Sequence, residues 1–273
     1  MGPRSAPRER LDRLLVARGL AETRAKAQAL ILAGRVSSRG ERLDKPGTRY
    51  PSDLPLELAE GRRWVGRGAG KLLRALEEFH IEAEGRDALD VGASTGGFTQ
   101  VLLEAGARRV LALDVGRGQL DWTLRNDPRV LPREGIHARH LSPADLPVPP
   151  SLAVIDVSFI SLKLVIPPVV ACWSPGGEIA ALVKPQFEIG RGQVGKGGIV
   201  REPALHRKVL ERISNFVRSS GWGVAGLCAS PVRGADGNRE FLIHVLPAEP
   251  GLEQAALDEA LSRALEPQKE TAP

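Results

Sequence analysis

A chain of 273 residues, 42% hydrophobic and 26% charged, has the composition of a globular protein with room for one catalytic domain and a small module. Its most apolar run, SLAVIDVSFISLKLVIPPVVACW at 151–173, is broken by Asp156, Lys163 and a Pro-Pro pair, which argues against a membrane span; Cys172 and Cys228 have neither metal-ligand spacing nor a disulfide framework, which removes zinc-deaminase chemistry. Residues 1–71 carry 16 Lys/Arg against 8 Asp/Glu within a chain of net charge +5, so a basic face for a polyanion, nucleic acid first, is expected there, the plain alternative being a soluble basic surface. The opening residues lack a secretory apolar core, so the expectation is a reduced, cytoplasmic protein, monomeric in solution and without a metal.

In chain order, LDRLLVARG and ETRAKAQALILAG predict two short helices. Their apolar positions are Leu11/Leu14/Leu15 and Ala25/Ala29/Leu30/Leu32; Gly19 and Gly34 close them and Thr23 caps the second. RVSSRG and ERLDKPGTRY predict short strands with turn residues between them. Arg8, Arg10, Arg13, Arg18, Arg24 and Lys26 fall on this module, where they can meet phosphates while the leucines face inward. The order of helix, helix and small hairpin, with Arg24, Ala27, Leu30, Ile31, Gly34, Val36 and Gly40 at their spacing, resembles the RNA-binding module named after ribosomal protein S-four over about residues 8–56. That resemblance implies recognition of folded RNA by shape and backbone contact, which suits a module whose one aromatic residue before Trp64 is Tyr50.

Next, RDALDVGASTGGFTQVLLEAGARRVLALDVGRGQL predicts a buried strand, a glycine turn, a helix ended by Gly106 and a second strand ending at Asp114, the start of a doubly wound sheet. Gly92, Ser94 and Gly96 alternate, unlike the glycines of a dinucleotide fingerprint, and Asp90 would repel a pyrophosphate. An acid at that place suits the α-ammonium of S-adenosylmethionine, and Asp114 suits its ribose hydroxyls. The donor-binding residues expected from this stretch are Asp90, Gly92, Ser94, Thr95, Gly96, Phe98 and Asp114. A purely structural turn and a nicotinamide site are the alternatives.

GRGQVGKGG at 190–198 comes close to a phosphate loop, but Gly197 stands where a magnesium-holding Ser or Thr belongs, PQFEIG is not a simple buried strand, and GIVREP opens no convincing helix. A basic loop closing over RNA is the reading for Arg191, Lys196 and Arg201, with Arg67 as a further RNA contact.

Three more strand-like segments place chemistry at their ends: SLAVIDVSFI near Asp156, GEIAALVKPQFE at Lys184, and NREFLIHVL beside Glu240. In an open α/β sheet, residues just beyond the carboxyl ends of central strands converge on the ligand crevice. Lys71 opens a helix in WVGRGAGKLLRALEEF, where the helix dipole disfavours a cation. GRGAGKL, DVGASTGGFTQ, VIDVSFISL, LVKPQFE and GNREFLIH, with the N-terminal module, resemble the TlyA family of RNA 2′-O-methyltransferases, also labelled haemolysins, whose catalytic domain is similar to the FtsJ type.

The resemblance implies an α/β fold, a mostly parallel class I methyltransferase sheet with one antiparallel strand, preceded by a small α+β RNA-binding domain. It implies domains at 1–61 and 67–248 and a linker at 62–66 with an Arg-x-Trp-Val element over Arg62 to Val65; the stretch at 249–273 reads by itself as a loosely attached helix and tail. It places a catalytic tetrad on Lys71, Asp156, Lys184 and Glu240 and adenine contacts on His137 and Ala138, next to Arg139. Gly66 and Gly70 depart from the Ser and His expected beside the tetrad lysine, and His137 from an Asn. The implied substrate is a cytidine ribose of ribosomal RNA. A 2′-hydroxyl must lose its proton while attacking a sulfonium methyl, and an amine takes that proton only where its neutral form is accessible. Lys184 is then the base or hydroxyl-orienting group, Lys71 its electrostatic partner, and Asp156 and Glu240 the carboxylates that fix both. A non-catalytic ribosome assembly factor, a membrane-active haemolysin and a pseudouridine synthase are the rival readings.

Overall fold

The computed structural model describes residues 7–32, 34–58, 64–174, 176–190, 192, 194–234 and 236–267. The chain divides into two compact units, Met1–Arg63 and Trp64–Pro273.

In the first unit, helix α1 (Leu11–Ala17) and helix α2 (Arg24–Leu32) pack over short antiparallel pairs. Strand β1 (Arg8–Arg10) pairs with β4 (Arg49–Pro51), and β2 (Val36–Ser38) lies between β3 (Glu41–Arg42) and β5 (Glu57–Leu58). The stretch expected as one strand over 41–50 is split, because Pro46 lacks a ladder donor and Gly47 turns the chain. The buried face of α2 also differs from expectation: Ala27 and Ile31 are its buried residues, while Ala25, Ala29 and Leu32 are exposed. Three weakly hydrophobic alanines in nine residues leave the apolar stripe poorly marked, so the packing against Leu11, Leu15 and Val36 decides it. Thr23 does cap this helix, its Oγ1 accepting from the Lys26 N–H at 3.2 Å.

The second unit is built on a seven-stranded sheet. Its strands are β6 (Asp87–Val91), β7 (Arg109–Asp114), β8 (Val130–Glu134), β9 (Leu152–Ile155), β10 (Glu178–Val183), β11 (Gly223–Ala229) and β12 (Phe241–Leu246). The order across the sheet is β11-β12-β10-β9-β6-β7-β8, parallel except for β12, which runs antiparallel to both neighbours. That is the expected mostly parallel sheet with one reversed strand. Strands β9 and β10 read as apolar runs, LAVI and IAALV, because both faces are covered, whereas β6, equally buried, carries Asp87 and Asp90 within it. On one face lie α3 (Ala69–Glu78), α4 (Gly97–Glu104) and the short α5 (Trp122–Arg125); on the other lie α6 (Ile166–Ala171), α8 (Pro203–Ser219) and α9 (Gln254–Leu265), with α7 (Pro185–Glu188) following β10 directly. Alternation along β6 sends Leu89 and Val91 to the second face and Ala88 to the first.

The expectation of loose attachment is overturned over the described part of the C-terminal stretch, residues 249–267, where the expected helix is docked. Helix α9 buries Leu257, Ala260, Leu261 and Ala264 against the core, and Gly251 bridges to Val224. The stretch carries its apolar residues at i, i+3, i+4 and i+7, so the helical signal was present; what hid the docking was the short side chains of its alanines. Arg62 and Arg191, and the side chain of Lys196, lie outside the described residues.

Candidate active site

The first turn after β6 is shaped by its glycines. Gly92 has φ +90°, and a Cβ there would stand 2.4 Å from the backbone oxygen of Asp156; Gly96, at φ +97°, would put one 2.3 Å from Leu124. Only glycine fits either place, so the turn lies pressed between β9 and α5. Ser94 takes the left-handed conformation between them, at φ +49°, and its hydroxyl and the neighbouring Thr95 are exposed.

Asp114, at the end of β7, holds this turn from the other side. Its Oδ2 accepts from the Ser94 N–H at 2.8 Å and its Oδ1 from the Gly116 N–H at 2.7 Å. Each oxygen keeps a lone pair for a ligand hydroxyl. Beside it Val115 is largely exposed, an apolar surface at a strand end that composition alone did not mark. His137 is exposed and Ala138 buried, where the chain leaves β8 and enters a turn of 3-10 helix.

Asp90 is fully buried on the α4 side of the sheet. Its Oδ2 accepts from the Thr99 hydroxyl at 2.7 Å, whereas Oδ1 has no hydrogen-bond partner among the described residues. Burial pushes this carboxyl up to about 7, against the Thr99 hydrogen bond, with the charges of Asp156 and Asp114 adding to the rise. Phe98 is buried in the first turn of α4. The neighbouring segment Trp64–Gly68 packs here too: the Val65 N–H donates to Gln100 Oε1 at 2.9 Å, and a Cβ on Gly66 would come within 2.7 Å of Thr95 Oγ1. The Gly66 departure therefore leaves Thr95 room that a serine would take.

The four tetrad positions meet at the carboxyl end of the sheet. Lys71, in the first turn of α3, lies 2.7 Å from Glu240 Oε2 and 3.6 Å from Asp156 Oδ2. Asp156 Oδ1 is 2.5 Å from Lys184 Nζ, and Lys184 also donates to Ser158 Oγ at 3.0 Å. The result is one chain, Glu240, Lys71, Asp156, Lys184, Ser158, in which Asp156 joins the two ammonium groups. Lys71, Lys184 and Glu240 are buried, Asp156 only partly. Two buried cations are tolerable because two carboxylates are beside them. Glu240 enters from the antiparallel strand, Asp156 and Lys184 from adjacent parallel ones, so strands far apart in sequence supply the cluster.

Ser158, missed in the sequence reading, belongs to a short loop with Phe159, which is 90% exposed, sits at φ +63° and packs its ring against Phe187 at 4.9 Å. A left-handed aromatic with one ring neighbour and the rest of its face open to solvent gains little from burial there, and its Val-Ser-Phe-Ile context gave no separate signal. Asn238, fully buried just before Glu240, was also missed. Its side chain accepts from the Val200 N–H and donates to Gly198 O, both at 2.9 Å, tying the end of the glycine-rich loop to the strand that carries Glu240.

Two comparisons fix the family. Residues 64–245 match the model for FtsJ-like methyltransferases, and residues 9–53 match the S4 domain. The chain is 45% identical over 263 residues to the 16S/23S rRNA (cytidine-2′-O)-methyltransferase TlyA of Mycobacterium tuberculosis, covering 95% of this chain and 98% of that one. The chain belongs to the TlyA family of FtsJ-like methyltransferases. Hemolysin A of Brachyspira hyodysenteriae is 39% identical over 238 residues, covering 87% and 99%. A solved structure of a candidate hemolysin from Streptococcus thermophilus superposes with TM-score 0.71 at 44% identity, covering 95% and 96%. The methyl donor of such an enzyme is S-adenosylmethionine. The turn fits it: an unpartnered buried carboxylate oxygen on Asp90, two glycines with no space for a side chain, and the Asp114 carboxylate facing the same turn.

The cations expected to touch RNA have mixed surroundings. Arg13 and Lys26 are exposed and pair with Glu9 and Glu22 on their own turns. Arg10 and Arg24 converge with Gln28 on Asp12, which is completely buried, and the Arg10 guanidinium above all holds that carboxyl far below the usual range. Arg18 donates to the carbonyls of Leu54 and Ser52, and Arg8 to that of Arg49. Arg67 is exposed. Within the first unit, then, Arg10, Arg18 and Arg24 also hold the fold.

Proposed function

We propose that this protein transfers a methyl group from S-adenosylmethionine to the 2′-hydroxyl of a cytidine in ribosomal RNA, acting as a cytoplasmic monomer. The observation that carries this is the continuous chain from Glu240 to Ser158 at the carboxyl end of the sheet, next to a turn suited to the donor. When bound, the donor supplies an activated methyl on a sulfonium centre. Lys184 holds the ribose hydroxyl and, with one of its ammonium protons passed to the Asp156 carboxylate 2.5 Å away, takes the hydroxyl proton as that oxygen attacks; Asp156 also fixes the Lys184 amine, and Lys71, held by Glu240, keeps Asp156 in place. Much of the acceleration is alignment, since the methyl needs no further activation. Phe159 offers a face on which a base of the substrate strand can stack. The basic N-terminal unit, with Arg13 and Lys26 among its exposed cations, adds phosphate contacts that position the RNA without reading its sequence.

The hemolysin name of some relatives raises a membrane reading, but among the described residues no helix is long and apolar enough to cross a bilayer. Ribosomal RNA incubated with protein and donor, then mapped for 2′-hydroxyls blocked to alkaline cleavage, tests the proposal. A protected cytidine that depends on donor and disappears with Lys184→Ala is expected. Methylation on a base instead of a ribose would refute it.

A further inference from the structure

Lys184 is followed at once by α7, and the last residue of that short helix is a buried acid. Glu188 is 5% exposed, and among the described residues no cation pairs with its carboxylate at close range, Arg212 and Lys163 acting on it only through space. Its Oε2 accepts from the Ser161 hydroxyl at 2.6 Å and its Oε1 from the Leu162 N–H at 2.7 Å. A second contact between the same two segments is the ring pair of Phe187 and Phe159. The loop so held, residues 158–162, begins two residues after Asp156 and contains Ser158, whose hydroxyl meets Lys184 Nζ. A buried polar side chain that gives both of its oxygens to one loop holds that loop in a single geometry, since releasing either contact would leave a buried group unsatisfied.

We infer that Glu188 is a positioning residue for methyl transfer: it clamps the 158–162 loop so that the Ser158 hydroxyl stays on the Lys184 amine. Asp156 and Ser158 then fix that amine from two sides, leaving one direction open toward the substrate hydroxyl. The clamp works by hydrogen-bond geometry and not by charge. A glutamine at 188 can accept from the Leu162 N–H through its carbonyl and donate to Ser161 Oγ through its amide, so it preserves both contacts.

The inference rests on Lys184 acting at the 2′-hydroxyl, and the experiment separates the two. Single-turnover methylation of ribosomal RNA is measured for Glu188→Ala, Glu188→Gln, Ser158→Ala, the Glu188→Ala/Ser158→Ala pair and Lys184→Ala, with donor affinity by calorimetry to verify the fold. Glu188→Ala is expected to lower the rate constant about tenfold to a hundredfold, as a misplacement of the order of an ångström does, with donor affinity kept. Glu188→Gln should recover most of the rate, and the double variant should be no slower than the worse single one, because both changes release the same contact. Strictly multiplying effects, or a Glu188→Gln as slow as Glu188→Ala, overturn the clamp while a slow Lys184→Ala keeps the Lys184 role. Full turnover by Lys184→Ala overturns both.

Discussion

Gly92→Ala tests how tightly the donor turn is tied to the catalytic cluster. The added Cβ would lie 2.4 Å from the Asp156 backbone oxygen, whereas ordinary contact begins at 3.4 Å, so one of the two segments must move by about an ångström. Strand β6 is buried along its length and cannot give easily; the exposed side of the contact is the chain leaving β9, which carries Asp156. The left-handed backbone adds about 1–2 kcal/mol of strain for alanine. An ångström of displacement at Asp156 shifts the group that joins Lys71 to Lys184, and a roughly 10²-fold loss of single-turnover rate is expected. Donor affinity should fall as well, since the same residue shapes the turn. The assay is rapid-quench methylation at saturating RNA and donor, with circular dichroism to confirm that the variant folds. A folded Gly92→Ala with wild-type rate and donor affinity would refute the coupling between turn and cluster.

The sequence made the catalytic unit more legible than the RNA-binding one, for a physical reason. Strands buried on both faces, such as LAVI and EIAALV, read as apolar runs ended by a charged residue, and that residue is where the site begins: Asp156 after one, Lys184 after the other. Glycines that no side chain could replace, Gly92 and Gly96, announce the donor turn. What the pattern does not encode is which polar side chain finds which partner across elements. Ser158, Glu188 and Asn238 look like loop polarity in the sequence, and only the fold brings them onto Lys184, the 158–162 loop and the end of the glycine-rich loop. The same limit applies in the first unit. Arg10 and Arg24 look like surface cations until Asp12 is found buried between them, because a single acid inside an apolar helix pattern gives no sign of which cations meet it. In helix α9, alanine-rich spacing hid an apolar face that docks fully.

Asp114→Ala should weaken S-adenosylhomocysteine binding by roughly 1–3 kcal/mol, through ribose hydrogen bonds lost and a turn released from its two N–H contacts; unchanged calorimetric affinity would remove Asp114 from the donor site. Because burial raises Asp90, its ionisation opposes folding: without donor, stability should fall as pH rises from the ordinary carboxyl value of about 4 toward about 7 and then level off, and Asp90→Asn should abolish that slope. If the ionised form meets the ligand ammonium, homocysteine-product affinity should climb over the same window in the wild type and stay flat in Asp90→Asn. Deleting residues 1–61 should weaken RNA binding and reduce its dependence on salt while sparing donor affinity, since 12 of the 16 Lys/Arg of residues 1–71 lie there; an unchanged salt slope would place the RNA contacts elsewhere. The last expectation concerns the C-terminal helix. Arg239, between the buried Asn238 and Glu240, donates to the carbonyls of Ala264 at 2.8 Å, Leu265 at 2.9 Å and also Glu266, the unsatisfied end of α9, where a cation is favoured by the helix dipole as well. The helix is thus fastened to the residue next to Glu240 as well as to the core. Arg239→Ala should cost about 1.5–3 kcal/mol, the range for hydrogen bonds to a charged group, and removal of residues 253–273 should cost more, because Leu257, Ala260, Leu261 and Ala264 leave an apolar face open over α8 and β11. Urea unfolding gives the stabilities, and single-turnover methylation shows whether Glu240 still holds Lys71. A truncated protein that unfolds at the same urea concentration and methylates at the same rate would make this helix the dispensable tail that its sequence suggests.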